Sequence, residues 1–331
     1  MQVVVVSNRP SRRTEFFCRA GAELGLSVHF MTYEELSERL SDMEDTVIKL
    51  EPVVSEESDF LRYARFDKDY REMLRMLGER PLSGSVRFLN TPASLLLAAD
   101  KLRSKERMQN GGLRVTPLMG IPRSFDELKA LLPAGQKGCF LKPRYGSGAG
   151  GIMAIRRREK SPEWVSYTTL QAVDGHIHNT KCIHRLTQEA SIALLAEAVI
   201  RTEAIMEEWI PKADWDGENY DLRVVSRGTE VDYIVVRCSR GTITNLHLNN
   251  RARSWNDLPV SDVVRQAVVS QSIRAGQIVG LHSAGVDLLL EKRSHTPFIV
   301  EVNGQGDQIY QDMFARNSIY TNQLKEIIKL C

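Results

Sequence analysis

The sequence predicts an α/β protein in which a small N-terminal α/β domain is followed by two α+β lobes. Three observations lead to this prediction. The chain opens with the apolar run Val3–Val6, followed by a helical pattern and a second strand pattern. A glycine-rich run at 146–151 lies between two apolar strand patterns, and strand patterns dominate from Ala204 onward. The predicted domains are therefore 1–90, 91–205 and 206–331.

The elements of the first domain follow from their periodicity. Val3–Val6 is continuously apolar, which is typical of a parallel strand buried on both faces. The acidic stretch Asp42–Ser58 lacks a clear period and is predicted to be irregular. The remaining predicted elements are a strand at Gln2–Val6, a helix at Arg13–Leu24, a strand at Ser27–Thr32 and a helix at Phe60–Leu77, ended by Gly78.

Capping signals define the helices of the later domains. Thr91-Pro92 predicts a helix start, and Gly111-Gly112 predicts the end of the same helix, which would carry Asp100 and Lys101. Ser124–Glu127 is a capping box before a short helix. The other predicted elements are strands at Cys139–Lys142 and Ile152–Arg156 and helices at Thr187–Thr202, Val263–Val279 and Ile319–Leu330.

Composition excludes several classes of protein. The 331 residues carry a formal net charge of +2, which is not that of a general nucleic-acid binder, and the apolar N-terminal run is too short for a signal peptide or membrane span. The five cysteines lack paired spacing, so we expect reduced thiols and a cytoplasmic protein without nucleic-acid or membrane partners. Residues 128–158 and 233–256 contain no Asp or Glu, which favours an anion-binding cleft. The oligomeric state stays open, with a homodimer as one option.

A predicted hairpin near the C-terminus carries three oxygen donors. Glu301 and Asn303 are two residues apart on one strand and therefore share a face. The turn-forming segment 292–296 would return Asp287 beside them. Carboxylate and amide oxygens of this kind suit Mg²⁺ or Mn²⁺ held partly by nucleotide phosphates. The alternative is that they are unrelated residues at strand ends.

The glycine run predicts a phosphate-binding loop. It contains the G-x-G-x-x-G pattern of dinucleotide folds, but a strand follows it where those folds need a helix. We therefore expect a mobile hairpin tip whose backbone amides, including those of Ser147 and Gly148, can close over phosphates. Lys142 at its base would reach the α- or β-phosphate. The alternative is a passive turn.

Two further segments complete a candidate nucleotide site. Glu207-Glu208-Trp209-Ile210 can present backbone groups to an adenine edge, with carboxylates near N6 or the ribose, or it can be an ordinary helix-to-strand junction. Asp221 and Arg223 are two residues apart and share a face. Arg223 would meet the γ-phosphate, while Asp221 would approach the ribose or metal, with Glu218 as a competitor for the ribose.

In this order, the motifs resemble those of the ATP-grasp superfamily over roughly residues 90–305. The ribosomal-protein glutamate ligases are closest in pattern, the D-alanine–D-alanine ligases are more distant, and the motifs of 209–212, 221–223 and 244–248 resemble those of one bacterial branch. The resemblance implies an ATP-grasp fold, ATP and Mg²⁺ (or Mn²⁺) as cofactors, and binding roles for Lys101 and Asn245. It also implies that Glu208 is the acid that contacts adenine or ribose.

The function that this resemblance implies is ATP-dependent ligation. ATP would phosphorylate a small-molecule or peptide carboxylate, and an amine or related nucleophile would then displace phosphate to form a C–N bond. The alternatives are a phosphotransferase that acts on a small molecule and a regulatory or adaptor protein that binds ATP without turnover. The identities of the carboxylate and the nucleophile stay open.

Two arginines are predicted to form the acceptor site. Thr244–Leu248 is predicted to be a strand that follows Arg237 and a turn at Gly241, which would bring Arg240 and Arg251 to the edge of the nucleotide site. Their planar guanidinium groups match carboxylate or acyl-phosphate oxygens, so both are assigned to the acceptor. The alternative is that they form surface ion pairs. The loop after Asn303 departs from the Pro-Gly type common among relatives, which leaves the substrate open.

One histidine and cysteine group, at 176–184, has zinc-like residue types but unsuitable spacing, and we expect a polar strand-loop-strand there.

Overall fold

The computed structural model describes residues 1–132, 138–146, 149–157, 163–248, 250–305 and 317–329, and of His247 the backbone alone. The helices are α1 Arg12–Glu23, α2 Tyr33–Arg39, α3 Phe60–Gly78, α4 Pro92–Ala99, α5 Lys101–Asn110, α6 Phe125–Leu131, α7 Glu189–Ile200, α8 Asp262–Val279 and α9 Ser318–Lys329. The strands are β1 Gln2–Ser7, β2 Val28–Thr32, β3 Thr46–Leu50, β4 Val86–Phe88, β5 Leu118–Gly120, β6 Gly138–Pro143, β7 Met153–Arg157, β8 Trp164–Val173, β9 His176–Leu186, β10 Ala204–Glu208, β11 Asp214–Trp215, β12 Glu218–Arg227, β13 Glu230–Ser239, β14 Arg251–Ser254, β15 Ser283–Leu290 and β16 Pro297–Asn303.

The strands form three sheets. The first is parallel with the order β2-β1-β3-β4, as the predicted N-terminal α/β layer requires. The second is antiparallel with the order β5-β10-β6-β7-β8-β9. The third is antiparallel with the order β14-β13-β12-β15-β16, and β11 pairs with β12. The two antiparallel sheets correspond to the predicted α+β lobes.

The strand β3 lies inside the stretch 42–58, which was predicted to be irregular, and that prediction was wrong. All five residues of this strand are buried. Thr46, Val47 and Ile48 are β-branched and suit a packed sheet. The acidic residues on either side of the strand masked this short apolar pattern.

The single helix predicted between Thr91 and Gly111 is two helices, because Asp100 breaks it. The backbone of Asp100 is extended, and its carboxylate accepts a hydrogen bond from the Arg103 N–H at 3.1 Å. Asp100 therefore caps the start of α5. As a consequence, Lys101 is the first residue of α5, next to the segment that follows β6.

The segment 244–248 is not a strand, so that prediction was also wrong. Leu246–Leu248 is a short 3₁₀ turn, and the strand that pairs with β13 is Arg251–Ser254. The Asn250 amide stabilises the turn by donating to the carbonyls of Ile243 and Asn245 at 3.0 and 2.9 Å.

The last helix returns to the first sheet. Tyr320, Leu324 and Ile327 of α9 share a buried cluster with Val3 and Phe17. The ring of Tyr320 lies edge-on to that of Phe17, with centroids 5.7 Å apart. Residues from the predicted third domain thus complete the core of the first.

Within the described ranges, no helix combines the length and the apolar character needed to cross a bilayer.

Candidate active site

The candidate site is a cleft between the two antiparallel sheets. One wall is formed by β6 and β10 and the other by β12, β13 and the β15–β16 hairpin. The residues that line the inner part include Lys101, Phe140, Lys142, Glu207, Glu208, Ile210, Lys212, Asp221, Arg237, Asn245, Asp287 and Glu301. The cleft therefore gathers most of the residues assigned to a nucleotide site from sequence.

The β15–β16 hairpin brings the three predicted metal ligands together. Asp287 pairs with Glu301, and Gly285 pairs with Asn303, across the two strands. On the other side, Arg223 of β12 pairs with Asp287. The hairpin closes through the predicted turn, in which the N–H of Glu291 donates to the carbonyl of Thr296 at 2.9 Å.

Cations surround this oxygen cluster. An Arg223 guanidinium nitrogen lies 2.9 Å from Asp287 Oδ1, and one from Arg237 lies 3.2 Å from the same oxygen. The Lys101 ammonium lies 3.6 Å from Glu301. In the orientation that satisfies its neighbours, the Asn303 amide donates to Glu301 at 3.1 Å and accepts from Arg223 at 3.0 Å.

The donor set fits a hard divalent cation. Burial raises the pKa of Asp287, and although Arg223 and Arg237 oppose this rise, the nearby Glu301 adds to it, so the pKa stays above its usual value. Two neighbouring carboxylates of which one is desolvated favour additional positive charge. Mg²⁺ sites commonly use one or two carboxylates and complete their coordination with phosphate oxygens.

Asp221 lies deeper in the same wall and is fully engaged with cations. Its carboxylate accepts from Arg237 Nε at 2.6 Å and Lys212 Nζ at 3.1 Å, and also from the Thr244 hydroxyl. Burial alone would raise the pKa of Asp221, but the positive charges of Arg237 and Lys212 outweigh it and lower the pKa. Asp221 therefore stays ionised and orients Arg237 toward the cleft.

A second buried ion cluster lies under the opposite wall. Glu207 accepts from Lys142 Nζ at 2.7 Å and the Thr116 hydroxyl at 2.8 Å, and its other oxygen lies 3.3 Å from Lys105 Nζ. Lys105 also donates to the carbonyl of Val300 at 2.8 Å, which connects this wall to the metal-binding strand. Glu207 therefore bridges two lysines and holds Lys142 at the cleft.

The ionisation of this cluster follows from its burial. Burial lowers the pKa of Lys105 to about 8, although Glu207 opposes the change. Burial would raise the pKa of Glu207, but the charges of Lys105 and Lys142 reverse the effect and lower it. Sequence reasoning missed Lys105, although its position four residues after Lys101 on one helix face could have revealed it.

Part of the predicted hinge lines the cleft, and Trp209 lies outside the cleft lining. The Glu208 and Ile210 side chains line the cleft, and the Glu208 N–H donates to the Pro117 carbonyl at 2.9 Å. Trp209 does not belong to the described cleft lining. It packs on Phe140, with ring centroids 5.2 Å apart, and Phe140 itself lines the cleft.

The described residues of the glycine run, Gly146 and 149–151, lie between β6 and β7, the two strands predicted to flank it. Lys101 contacts the N-terminal end of this run. The Lys101 ammonium donates to the Gly146 carbonyl at 2.6 Å, and the Lys101 N–H donates to the Arg144 carbonyl at 3.0 Å. Ala149 and Gly150 line the cleft at the other end of the run. The predicted phosphate-binding residues Ser147 and Gly148 lie outside the described residues.

The cleft continues into an outer pocket under the N-terminal domain. This acceptor pocket shares Asp287, Glu301, Arg237 and Asn245 with the inner part. Its other lining residues include Arg13, Pro52, Val53, Tyr63, Phe66, Asp67, Tyr70, Leu95, Ala98, Arg223, Asn303 and Gln305. Gln305 is fixed by hydrogen bonds from its amide to the Leu50 carbonyl at 3.0 Å and the Tyr70 hydroxyl at 2.7 Å.

The two arginines assigned to the acceptor lie away from the lining of either part of the cleft. Arg240 is exposed at the end of β13. Arg251 is exposed and forms an ion pair with Glu218 at 2.5 Å, and Arg253 binds the same carboxylate at 3.1 Å. The misassigned strand at 244–248 explains this outcome, because the real strand partner starts at Arg251. Arg237, which sequence reasoning left without a role, is the arginine of β13 that faces the cleft.

The histidine-rich segment forms one continuous strand, β9, rather than the predicted strand-loop-strand. Its histidines contact the start of α3, since His176 lies 3.1 Å from Asp59 and His178 lies 3.2 Å from Ser58. Across the described ranges, no three His, Cys, Asp or Glu side chains are grouped as a metal site. The hairpin donors do not form such a group, because only Asp287 and Glu301 are of these residue types and Asn303 is an amide.

No family model and no curated protein matches this chain. Several solved structures are similar to it over nearly their whole length. One is D-cycloserine synthetase DcsG, with a TM-score of 0.63 at 11% identity, covering 98% of this chain and 99% of that chain. Another is the macrocyclase MdnC bound with precursor peptide MdnA from Microcystis aeruginosa, with a TM-score of 0.62 at 12% identity and full coverage of both chains.

A third is the D-alanine–D-alanine ligase from Bacillus anthracis complexed with ATP, with a TM-score of 0.55 at 15% identity, covering 99% of this chain and 96% of that chain. These likenesses agree with the order of motifs and with the two antiparallel sheets around the cleft. The chain therefore has the ATP-grasp fold.

Proposed function

We propose that the protein is an ATP-dependent ligase that joins a carboxylate to an amine through an acyl-phosphate. The observation that carries this proposal is the continuous cleft in which an oxygen donor set meets Lys101, Lys142, Arg223 and Arg237. Its inner part has an apolar and polar lining suited to a nucleotide, and its outer part has room for a second substrate. The solved structures with this fold that are named above are a synthetase, a macrocyclase and a ligase.

In this proposal the nucleotide base binds between Phe140 and Ile210. The hinge from Glu207 to Ile210 faces the adenine edge, and Glu208 accepts from N6 or from the ribose. Trp209 acts through Phe140, whose ring it supports from outside the cleft. Glu207 contributes by holding Lys142 in position, since the pair is buried and 2.7 Å apart.

The phosphates would then lie between the two lysines and the hairpin. Lys101 and Lys142 approach from the lobe with the glycine run, while Arg223 and Asn245 approach from the other lobe. Asp287, Glu301 and Asn303 would hold Mg²⁺, which supplies charge neutralisation and orientation of the γ-phosphate. Such positioning and electrostatic effects can account for most of the rate in phosphoryl transfer.

The acceptor carboxylate would attack the γ-phosphorus from the acceptor pocket, and ADP would leave. The amine then attacks the acyl carbon, phosphate leaves, and the amine loses a proton. Arg223 and Arg237 are the arginines at the junction of the two pockets, so we transfer to them the oxyanion-binding role first assigned to Arg240 and Arg251. Asp221 positions Arg237 through the 2.6 Å hydrogen bond.

Hydroxylamine trapping tests this proposal. The protein is incubated with Mg-ATP, hydroxylamine and a panel of carboxylates, and ADP and hydroxamates are quantified. We expect ADP formation that depends on one class of carboxylate, together with an equal amount of the matching hydroxamate. ADP formation without any hydroxamate, accompanied by a phosphate ester of an added alcohol, would instead establish a phosphotransferase. Tight ATP binding without turnover on any panel would establish a non-catalytic nucleotide-binding protein.

A further inference from the structure

The acceptor pocket reaches from the metal hairpin to the edge of the first sheet. Arg13 lies in the first turn of α1, after β1, and Pro52 and Val53 follow β3. β1 lies between β2 and β3, so the chain runs from β1 to β2 on one side and then crosses to β3 on the opposite side of β1. In open parallel sheets, ligands bind outside the carboxyl ends of the strands at such a point. The pocket therefore ends where this sheet would hold a ligand.

Arg13 supplies a positive charge to this part of the pocket. It is half-buried, and within the described part of the chain its guanidinium has no hydrogen bond or ion pair. The nearby carboxylate of Asp67 is already bound by Arg71 at 3.0 Å. Lys49 is buried and paired with Glu51, and after burial itself the positive charge of Arg13 also lowers the pKa of Lys49.

The wall between Arg13 and the hairpin combines aromatic and apolar residues with polar ones. Tyr63 and Phe66 line it from α3, Val53 and Leu95 line it from neighbouring segments, and Tyr70 and Gln305 add polar groups. Such a wall suits an organic body of mixed character. An arginine in a concave site of low dielectric binds carboxylate or phosphate oxygens strongly, because its planar fork can contact two of them.

We propose that the acceptor is a dianion, and that Arg13 binds its second anionic group. This inference rests on the proposed function, because it assigns the first carboxylate to the metal hairpin, where it reacts. The second group does not react. It holds the substrate in the orientation that points the reacting carboxylate at the γ-phosphate.

The test compares acids that differ by one carboxylate, in binding and in turnover. The pairs are glutarate with butyrate and phenylsuccinate with 3-phenylpropionate. Binding is measured by calorimetry on the full chain loaded with Mg²⁺ and a non-hydrolysable ATP analogue, and turnover is measured as acid-stimulated ADP release. The variants are Arg13→Gln and Arg13→Lys, with Arg12→Gln as the matched control. Arg12 is exposed and stacks on Phe16 at 5.4 Å from the ring centroid, outside the pocket lining.

We expect at least one diacid to bind the wild type about 10-fold or more tightly than its partner, on the scale of one charge-assisted hydrogen-bonding group. Arg13→Gln should remove that difference, and Arg13→Lys should restore part of it. Arg12→Gln should keep the wild-type difference, and none of the variants should change the affinity for the ATP analogue. Equal binding of each pair by the wild type, or an undiminished difference in Arg13→Gln, would overturn the inference. Diacid binding that depends on Arg13 without ADP release would leave this inference standing and contradict the proposed function.

Discussion

At the scale of single residues, the cleft depends on carboxylates whose charge is balanced by named cations. Glu301 faces Asp287 across the hairpin and lies 3.6 Å from Lys101. Glu301→Gln preserves the shape of this site but removes one of its two negative charges. We expect ATP turnover to fall by at least about 10²-fold, the scale of losing a main electrostatic stabiliser.

The matched control for Glu301→Gln is Glu291→Gln, which lies in the turn of the same hairpin and outside the cleft lining. Steady-state ADP release and nucleotide affinity are measured for both variants. Unchanged turnover in Glu301→Gln would remove the hairpin from the catalytic machinery.

The buried Lys105 makes stability depend on pH in an unusual window. In the unfolded chain a lysine keeps its proton to about pH 10.5, whereas burial lowers the pKa of Lys105 to about 8 in the folded state. Between these values the unfolded state binds more protons, so the free energy of unfolding rises with pH. Relative to Lys105→Met, the wild type should gain about 2 to 3 kcal/mol between pH 8 and pH 10.5.

Chemical denaturation of the wild type and Lys105→Met at several pH values measures this difference. The difference should be flat below pH 8, where Lys105 is charged in both states. A flat difference up to pH 10.5 would mean that Lys105 keeps its usual pKa in the folded protein.

At the scale of elements, the glycine-run hairpin packs against the N-terminal domain. Gly151 has a φ of +74°, and a Cβ added there would lie 2.4 Å from a ring carbon of Phe60 in α3. Gly175, at the tip of the β8–β9 hairpin, has a φ of +77° and open space around it. The two positions share the same backbone strain and differ in packing.

We therefore expect Gly175→Ala to cost about 1 kcal/mol from strain alone. Gly151→Ala should cost about 1 to 3 kcal/mol more, because the new methyl group collides with Phe60. Its Michaelis constant for ATP should also rise, since α3 holds the hairpin at the cleft. Thermal and chemical unfolding of both variants, with ATP kinetics, provides the comparison. Equal losses would mean that the contact with α3 adds nothing.

Sequence patterns predicted the helices and strands correctly where the local signal was strong. The N-cap at Thr91, the donor hairpin and the strands flanking the glycine run all have strong local signals, and the structure contains each of them. The misplaced elements are those where tertiary contacts decide. The carboxylate of Asp100, which caps α5, also binds Arg144 at 2.7 Å, and that arginine lies 44 residues away. No local pattern contains this information.

The dependence on tertiary contacts also explains which residues of the site the sequence did not identify. The alternation of β13 identified a strand with several basic residues, but not which arginine faces the cleft. Only the pairing of Asp221 with Arg237 in neighbouring strands decides this. Arg13 was missed because its half-buried place in the outer pocket appears only after the chain has folded.

At the scale of the whole molecule, the two ends of the described chain form one core. Tyr320 of the last helix is 1% exposed and packs on Phe17. Tyr320→Ala should reduce the free energy of unfolding by about 3 to 5 kcal/mol, as removal of a large buried ring does. Ile328→Ala is the control, because Ile328 lies on the same helix and is 43% exposed.

Hydrogen exchange locates the effect of Tyr320→Ala. Protection of the β1 amides at Val3–Val6 should fall together with global stability, since the ring belongs to the same buried cluster as Val3 and Val5. Unchanged protection of β1 would indicate that the last helix stabilises only the third sheet.

In the proposed reaction, the γ-phosphoryl group of ATP is transferred to a carboxylate in the cleft. The most direct measurement uses acceptor carboxylates labelled with ¹⁸O on both oxygens, with Mg-ATP and a pool of amines, followed by mass spectrometry of every product. We expect ADP, a new amide that retains one labelled oxygen, and inorganic phosphate that carries the other. AMP with pyrophosphate, or ADP with phosphate free of label, would contradict it.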